Sequence, residues 1–490
     1  MERDITNKLI EWKDSNDRKP LLITGVRQCG KTYVMKEFGA QNFDNVAYFN
    51  FEQDTMLNQV FDQDLDTERI LQELSIINGK LIEPGKTILI FDEIQACSRA
   101  ITSLKYFCED QKDLHIMCAG SLLGVTVKRQ QMSFPVGKTE RIQMYPMSFS
   151  EFLKAQNKSL YQLIERNAEK GKELPKAYTD AMETALRLYY IVGGMPGVVS
   201  TWLETKDIQK VERKQDDILM DYQADFAKHA PKTDVPKLGW IWDSVPLQLA
   251  EENSKFMFSH VKASARARDL EDAVEWLIDA GLIYKLTQIE KVEKPLAACA
   301  DATRYKLYMS DIGLMRRKAG VAAKTIIQGD KDYIKFKGAL TENFVLNELL
   351  AKDKKPYYWR SGNIAEVDFV IEDDGRIVPI EAKSETNTKA KSYGIFCKKY
   401  NPEIGFKFSM KNVGDHMTGN TKTYSVPLYL MWKMDDYLQA ENDLDIAKML
   451  DAQIEAAMNE LTIRQQDSNQ TMAIEDKKTT CMNDKVQFPK

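Results

Sequence analysis

The chain has 490 residues, 43% of them hydrophobic and 29% charged, enough apolar side chain for several packed cores at a usual domain size of about 150 residues. Lys and Arg number 68 against 73 Asp and Glu, a net charge of -5, so no global basic field advertises nucleic acid and any such contact must come from a local patch. No run of about 18 apolar residues occurs, and the 7 cysteines are scattered without a C-x-x-C pair, which argues against a membrane-spanning helix and against a disulfide scaffold or zinc ribbon. The start, MERDITNKLIEWKDS, mixes charge with apolar residues and has no signal-peptide core, so the expectation is a reducing cytoplasm and no membrane partner.

Taken in chain order, Leu21–Thr24, Val46–Phe49, Ile88–Phe91 and Leu114–Cys118 are short apolar runs separated by helical patterns. Runs of this kind suit strands of a parallel sheet covered on both faces. Arg141–Met144 is a fifth candidate strand, and the α/β domain is expected to occupy residues 1–150. Residues 151–325 read as a helical lid followed by a winged-helix region, with the turn Gly193-Gly194-Met195-Pro196 as punctuation. From 326 to 432 the order is a helix (GALTENFVLNELLAK) and then strands at KPYYWR, EVDFVIE, RIVPIEAK, GFKFSM and VPLYLMW, a compact α+β unit. Residues 433–490 form an acidic tail, expected to be part helix and part disorder.

The segment Gly25-Val26-Arg27-Gln28-Cys29-Gly30-Lys31-Thr32 is a G-x-x-x-x-G-K-[ST] loop between a strand and a helix. Its glycines allow successive backbone N–H groups to face phosphate oxygens at the positive end of that helix. Gly25, Gln28, Cys29, Gly30, Lys31 and Thr32 are therefore the candidate nucleotide-binding residues, with Lys31 for the β- and γ-phosphates of ATP and the Thr32 hydroxyl for Mg²⁺. Cys29 reads as a small space-filling residue. The run Ile88-Leu89-Ile90-Phe91-Asp92-Glu93 supplies the partner motif: Asp92 at a strand end for the Mg²⁺ shell, Glu93 to polarise the attacking water.

A second constellation lies near the C-terminal end. Asp368 sits on EVDFVIE, Glu381 and Lys383 close the strand IVPIEAK, and Glu342 lies on the preceding helix. Oxygen ligands from Asp368, Glu381 and Glu342 suit a hard divalent cation, Mg²⁺ or Mn²⁺. Lys383, on the same strand face as Glu381, would orient or activate water for phosphodiester attack. Glu366 reads as an exposed neighbour. This Glu…Asp…Glu-x-Lys order is similar to the PD-(D/E)xK nuclease signature. In the middle region Lys255, Lys262, Arg266 and Arg268 gather before a helix, where a winged helix would place basic residues on DNA phosphates, although Asp269, Glu271 and Asp272 follow at once.

With these motifs in hand, the chain resembles the bacterial and archaeal AAA-type ATPases that carry, after a winged helix, a C-terminal domain of unknown function 4143 similar to PD-(D/E)xK nucleases. The resemblance is carried by GVRQCGKT, ILIFDEIQ, AGSLLG, FPVGKTERIQMYPMSFSEF, GGMPGVV, KGALTENFVLNEL, AEVDFVI and IEAK, across residues 1–432. It implies ATP binding and hydrolysis, a polar sensor at Ser121 beside the Asp92 strand, and an arginine finger from a neighbouring copy, for which Arg129 and Arg141 are candidates. Lys138 stands where many relatives carry Arg. Two functions remain open at this stage: an ATP-regulated, metal-dependent enzyme acting on DNA, or a nucleotide switch of the signalling type whose C-terminal domain binds nucleic acid or protein without cutting.

Overall fold

The computed structural model describes residues 1–120, 124–125, 134–251, 255–262, 265–328, 334–362, 365–386, 390–439, 453–455 and 458. Ser121 and Arg129 lie outside the described residues. The chain divides into two compact units, Met1–Trp432 and Lys433–Lys490.

Among the described residues, thirteen strands form two sheets. The first holds β1 (Leu21–Thr24), β2 (Asn45–Asn50), β3 (Thr87–Asp92), β4 (His115–Ala119) and β5 (Glu140–Gln143) in the order β2-β3-β4-β1-β5, every pair parallel. Every residue of β3 and β4 is buried, because helices cover both faces, and the apolar runs are read out as central strands. Edge strand β5 is only half-buried, which explains its mixed composition. The overall class is α/β, with a C-terminal mixed sheet.

The helix Phe149–Gln156 follows from the sequence Ser-Phe-Ser-Glu. Ser148 accepts from the Glu151 backbone N–H at 3.3 Å and Glu151 accepts from that of Ser148 at 2.9 Å, a reciprocal cap. Further helices run through Lys176–Val192, Ile208–His229 and Val235–Leu249 to Ala267–Asp279. At the Gly193-Gly194 turn, φ of Gly193 is 77° and a Cβ there would lie 2.3 Å from Asp311 Oδ1, so no larger residue fits.

The second sheet contains β6 (Ile283–Ile289), β7 (Ala300–Met309), β8 (Tyr357–Ser361), β9 (Ala365–Asp373), β10 (Arg376–Ala382), β11 (Ile404–Ser409), β12 (Gly414–Thr418) and β13 (Thr421–Pro427), ordered β12-β13-β11-β10-β9-β8-β6-β7. The expected helix-then-strand pattern after residue 267 is present, but its strands β6 and β7 join the C-terminal sheet through parallel pairing of Gln288 and Ile289 with Tyr358 and Trp359. The boundary placed at 325/326 therefore runs through one hydrogen-bonded sheet. VPLYLMW is not a strand throughout: β13 ends at Pro427, which has no N–H for a ladder, and the chain turns into a 3-10 helix. Strands β7 and β12 went unforeseen.

Candidate nucleotide and C-terminal sites

The loop after β1 is held in a shape only its own residue types allow. Gly25 (φ 148°), Gln28 (φ 67°) and Gly30 (φ 98°) all have positive φ, and a Cβ on Gly25 would lie 2.2 Å from the Met144 carbonyl oxygen. Lys31, only 6% exposed, folds its ammonium back to donate to the Gly25 and Val26 carbonyls at 2.9 and 3.0 Å. Its charge thus sits within the loop. The buried Cys29 packs its Sγ 3.8 Å from the Met144 oxygen, consistent with a space-filling role.

Asp92 is a hub at the end of β3. Its Oδ2 accepts from Thr32 Oγ1 at 2.6 Å and from the Tyr48 hydroxyl at 2.9 Å, and its Oδ1 accepts from the Glu93 N–H at 3.1 Å. Burial, with Asp92 and Glu93 adding to it, pushes the Tyr48 phenol up to about 12, so it stays a donor. Glu93 follows in the left-handed region (φ 48°), and Gln95 Nε2 donates to its Oε2 at 2.6 Å. The loop residues and both acidic residues singled out from the motifs are brought together.

Other contacts at this loop carry no motif. The buried Arg3 donates to Glu151 (3.0 Å), to the Cys29 carbonyl (3.0 Å) and to the Tyr145 carbonyl (2.7 Å). From the helix Ile208–His229, Asp225 pairs with Arg27, Asp221 accepts from Gln28 Nε2 at 2.8 Å, and Tyr222 donates to the Arg27 carbonyl at 2.9 Å. The acid-Tyr-x-x-acid spacing on one helix face was the available signal, meaningful only once the partner is known. Of the arginine-finger candidates, Arg141 is exposed and stacks over Phe134 at 4.5 Å, while Lys138 pairs with Glu109 at 2.8 Å.

In the C-terminal sheet, antiparallel β9 and β10 set Asp368 and Glu381 side by side. Asp368 Oδ2 accepts the Ala382 N–H at 2.8 Å, and the Lys383 ammonium lies 2.6 Å from Glu381 and 3.9 Å from Asp368. Burial first, then the Glu381 charge, push the Asp368 carboxyl up to about 7; burial raises Glu381 as well, against the opposing pull of Lys383. Burial works against the charged form of Lys383, yet Asp368 and Glu381 outweigh it and raise its pKa. Glu381 Oε2 is buried with no hydrogen-bond partner.

Glu342 is held by a different lysine. Its Oε2 accepts from Tyr308 at 3.1 Å and lies 3.4 Å from the Lys306 ammonium, which is 2.7 Å from Glu366. Glu366, expected to be an exposed neighbour, is half-buried in this pair. Among the described residues no three His, Cys, Asp or Glu side chains form a group that could hold a metal ion, and lysine ammonium groups lie against Glu342, Glu366 and Glu381. Asp368 and Glu381 present hard oxygen donors of the kind a divalent cation takes, and Glu381 Oε2 has no hydrogen-bond partner, but the Lys383 ammonium already lies 2.6 Å from Glu381. The basic residues around the start of the helix Ala267–Asp279 are on the surface: Arg266 and Arg268 are exposed, and Lys262 stacks over Trp240 at 4.5 Å.

Comparison with known families bears on both sites. Residues 17–153 match the AAA domain, 183–325 a domain of unknown function (DUF8612), and 337–429 a second (DUF4143). The protein thus has an AAA-type P-loop ATPase fold. It carries that domain together with a C-terminal DUF4143 domain. Among solved structures it is similar to the Walker-type ATPase paby2304 of Pyrococcus abyssi (TM-score 0.41, 14% identity, covering 65% of this chain and 95% of that one). It is also similar to the Aeropyrum pernix ORC1 protein in complex with DNA (0.27, 11%, 66% and 93%) and the Thermotoga maritima RuvB Holliday junction branch migration motor (0.26, 15%, 58% and 88%). No curated protein matches the chain.

Proposed function

We propose that the protein binds ATP with Mg²⁺ at the loop 25–32 and hydrolyses it, and that the nucleotide state governs a C-terminal site acting on DNA. The observation that carries the ATPase reading is the 2.6 Å bond from Thr32 to Asp92, with Glu93 next in sequence. It joins the hydroxyl and the carboxylate a nucleotide-bound cation needs. Mg²⁺ would supply neutralisation of charge on the β- and γ-phosphates. On nucleotide entry the Lys31 ammonium exchanges the Gly25 and Val26 carbonyls for phosphate oxygens, and the loop N–H groups complete the cradle. Glu93 takes up the proton of the attacking water. Wild-type turnover in Glu93→Gln would remove Glu93 from that role.

The coupling follows one helix. At one end of Ile208–His229, Asp221, Tyr222 and Asp225 hold Arg27 and Gln28. At the other end, Glu212 (3.0 Å) and Gln215 (2.9 Å) hold the fully buried Arg316, and Asp216 (2.6 Å) holds Arg317, just before the C-terminal domain. A shift of the loop on nucleotide binding moves a rigid rod whose far end grips the helix Ile312–Lys318, which follows β7.

At that sheet, Asp368 and Glu381 would hold one divalent cation, with Lys383 orienting water, and Lys262, Arg266 and Arg268 would contact DNA phosphates. The unsatisfied Glu381 Oε2 supports a cation beside these acids. Linear, circular and branched DNA incubated with Mn²⁺ or Mg²⁺, with and without ATP, tests it. Cleavage lost in Asp368→Ala with ATP turnover retained is expected; no cut DNA of any topology would favour the non-cutting switch. ATP is also expected to promote self-association, the neighbour supplying Arg129 or Arg141; a monomer in light scattering with concentration-independent turnover would oppose it.

A further inference from the structure

Strand β11 reads Ile-Gly-Phe-Lys-Phe-Ser, so a lysine alternates with two phenylalanines in a strand buried throughout. Phe406 and Phe408 stack on one face, which leaves Lys407 on the other. Register then builds a row across five strands on that second face: Asp368 beside Glu381, Glu381 beside Lys407, Lys407 beside Ser425 on β13, and Ser425 beside Gly414 on β12. Beyond Glu381 the row is short of partners. Lys407 is 8% exposed and lies over the Tyr393 ring at 5.0 Å. Among the described residues no carboxylate pairs with its ammonium, whose one hydrogen-bond partner is His416 Nε2 at 3.4 Å. The acid beside it in register, Glu381, is already held by Lys383 at 2.6 Å. Burial lowers the Lys407 pKa, Lys411 and Lys383 add to that, and Glu381 and Cys397 offset it only in part. Ser425 is buried and its Oγ has no partner, while a Cβ on Gly414 would meet nothing within 4 Å. An ammonium and a hydroxyl thus lack an acceptor beside space that a glycine leaves open, the complement of an anion's oxygens. His416 and Lys411, both exposed, mark where the row reaches solvent.

We propose that Lys407 and Ser425 form a phosphate subsite, entered past His416 and Lys411, one strand spacing (about 5 Å) from Glu381. The group it takes is a phosphate, carried by a nucleic-acid strand or free in solution. A strand as the source rests on the reading of the C-terminal sheet as acting on DNA; the subsite itself needs neither that reading nor a metal. With a strand bound, the Lys407 ammonium neutralises one phosphate and the Ser425 hydroxyl donates to it, which fixes the strand beside Asp368 and Glu381.

The test titrates a short single-stranded DNA, followed by fluorescence anisotropy, and inorganic phosphate, followed by calorimetry, into the full-length chain in EDTA. Every protein carries Lys31→Ala, so that the nucleotide loop does not hold the phosphate, and folding is checked by circular dichroism. Lys407→Met is expected to weaken DNA about tenfold, as for a lost charge-assisted bond, and to flatten the slope of log affinity against log salt by about 0.7, the share of one phosphate contact on a single strand. Lys407→Arg keeps the slope. Ser425→Ala is expected to weaken binding about threefold with the slope unchanged, since it removes a neutral donor. A folded Lys407→Met with the parent's affinity and slope for DNA and the parent's affinity for inorganic phosphate overturns the proposal. Where Lys407→Met does not fold, Ser425→Ala with the parent's affinity for both probes overturns it. Loss confined to inorganic phosphate upholds the subsite and identifies its ligand as free phosphate. A flattened slope with no cleavage of any DNA in Mn²⁺ upholds the subsite and sinks the cutting role; cleavage with neither probe weakened does the reverse.

Discussion

The two sites handle buried charge in opposite ways. At the nucleotide loop the groups that matter are mostly backbone, from one unbroken stretch of chain, and the lysine rests on carbonyls of its own loop. At the C-terminal cluster the groups are all side chains, from a helix and three strands, and two lysines are locked onto carboxylates. The first is a backbone loop leading into a helix N-terminus, the geometry that suits an anion. The second is a set of acids already largely compensated by lysines. Local backbone geometry builds an anion site cheaply; a cation site needs distant acids brought together, and each must be neutralised on the way.

The sharpest way to break this comparison is to remove the loop's buried lysine. Lys31→Ala should abolish measurable ATP binding by nucleotide titration, a loss of at least about a hundredfold, since Arg27 is held by Asp225 and the other donors of the loop backbone are neutral N–H groups. Glu93→Gln should bind ATP normally in the same titration and lose about 10²- to 10³-fold in kcat, the worth of a positioned base. If both variants fail to bind, Asp92 and Glu93 belong to the fold of the loop and not to the chemistry.

Stability measurements sharpen the contrast on the side-chain-built half. Arg316→Met should lower unfolding free energy by about 3 kcal/mol in denaturant titration, because Glu212 and Gln215 lose their buried partner. Glu348, 2% exposed and accepting the Phe149 N–H at 2.8 Å, is pushed up by burial to about 7. Its folded form holds a proton that the unfolded chain releases near pH 4.3, so its stabilisation is full below that pH and is lost as pH rises through 7. Glu348→Gln, which mimics the protonated acid, should therefore gain on wild type between pH 5 and 8 by on the order of 2 kcal/mol in melts across that range. The smallest effect is expected at the surface of the loop: Arg27→Gln breaks a half-exposed pair with Asp225 and should cost under about 1 kcal/mol. A larger cost, or a change in ATP affinity beyond a few-fold, would mean that the helix Ile208–His229 holds the loop more tightly than its ion pair suggests.

The sequence alone determined the five parallel strands, the loop 25–32, the Asp92–Glu93 pair and the meeting of Asp368, Glu381 and Lys383. Each depends on short-range patterning: apolar runs that must be buried, glycines at positive φ, or two acids on strands joined by a tight turn. Tertiary structure alone decided that Asp225 and Tyr222 grip the nucleotide loop, that β6 and β7 extend the C-terminal sheet, and that Glu342 and Glu366 close on Lys306. The physical reason is separation along the chain. Lys306 stands 36 residues from Glu342, and Asp225 stands 198 from Arg27. A lysine on a strand or an aspartate on a helix looks like any solvated charge until packing removes the water and leaves one partner.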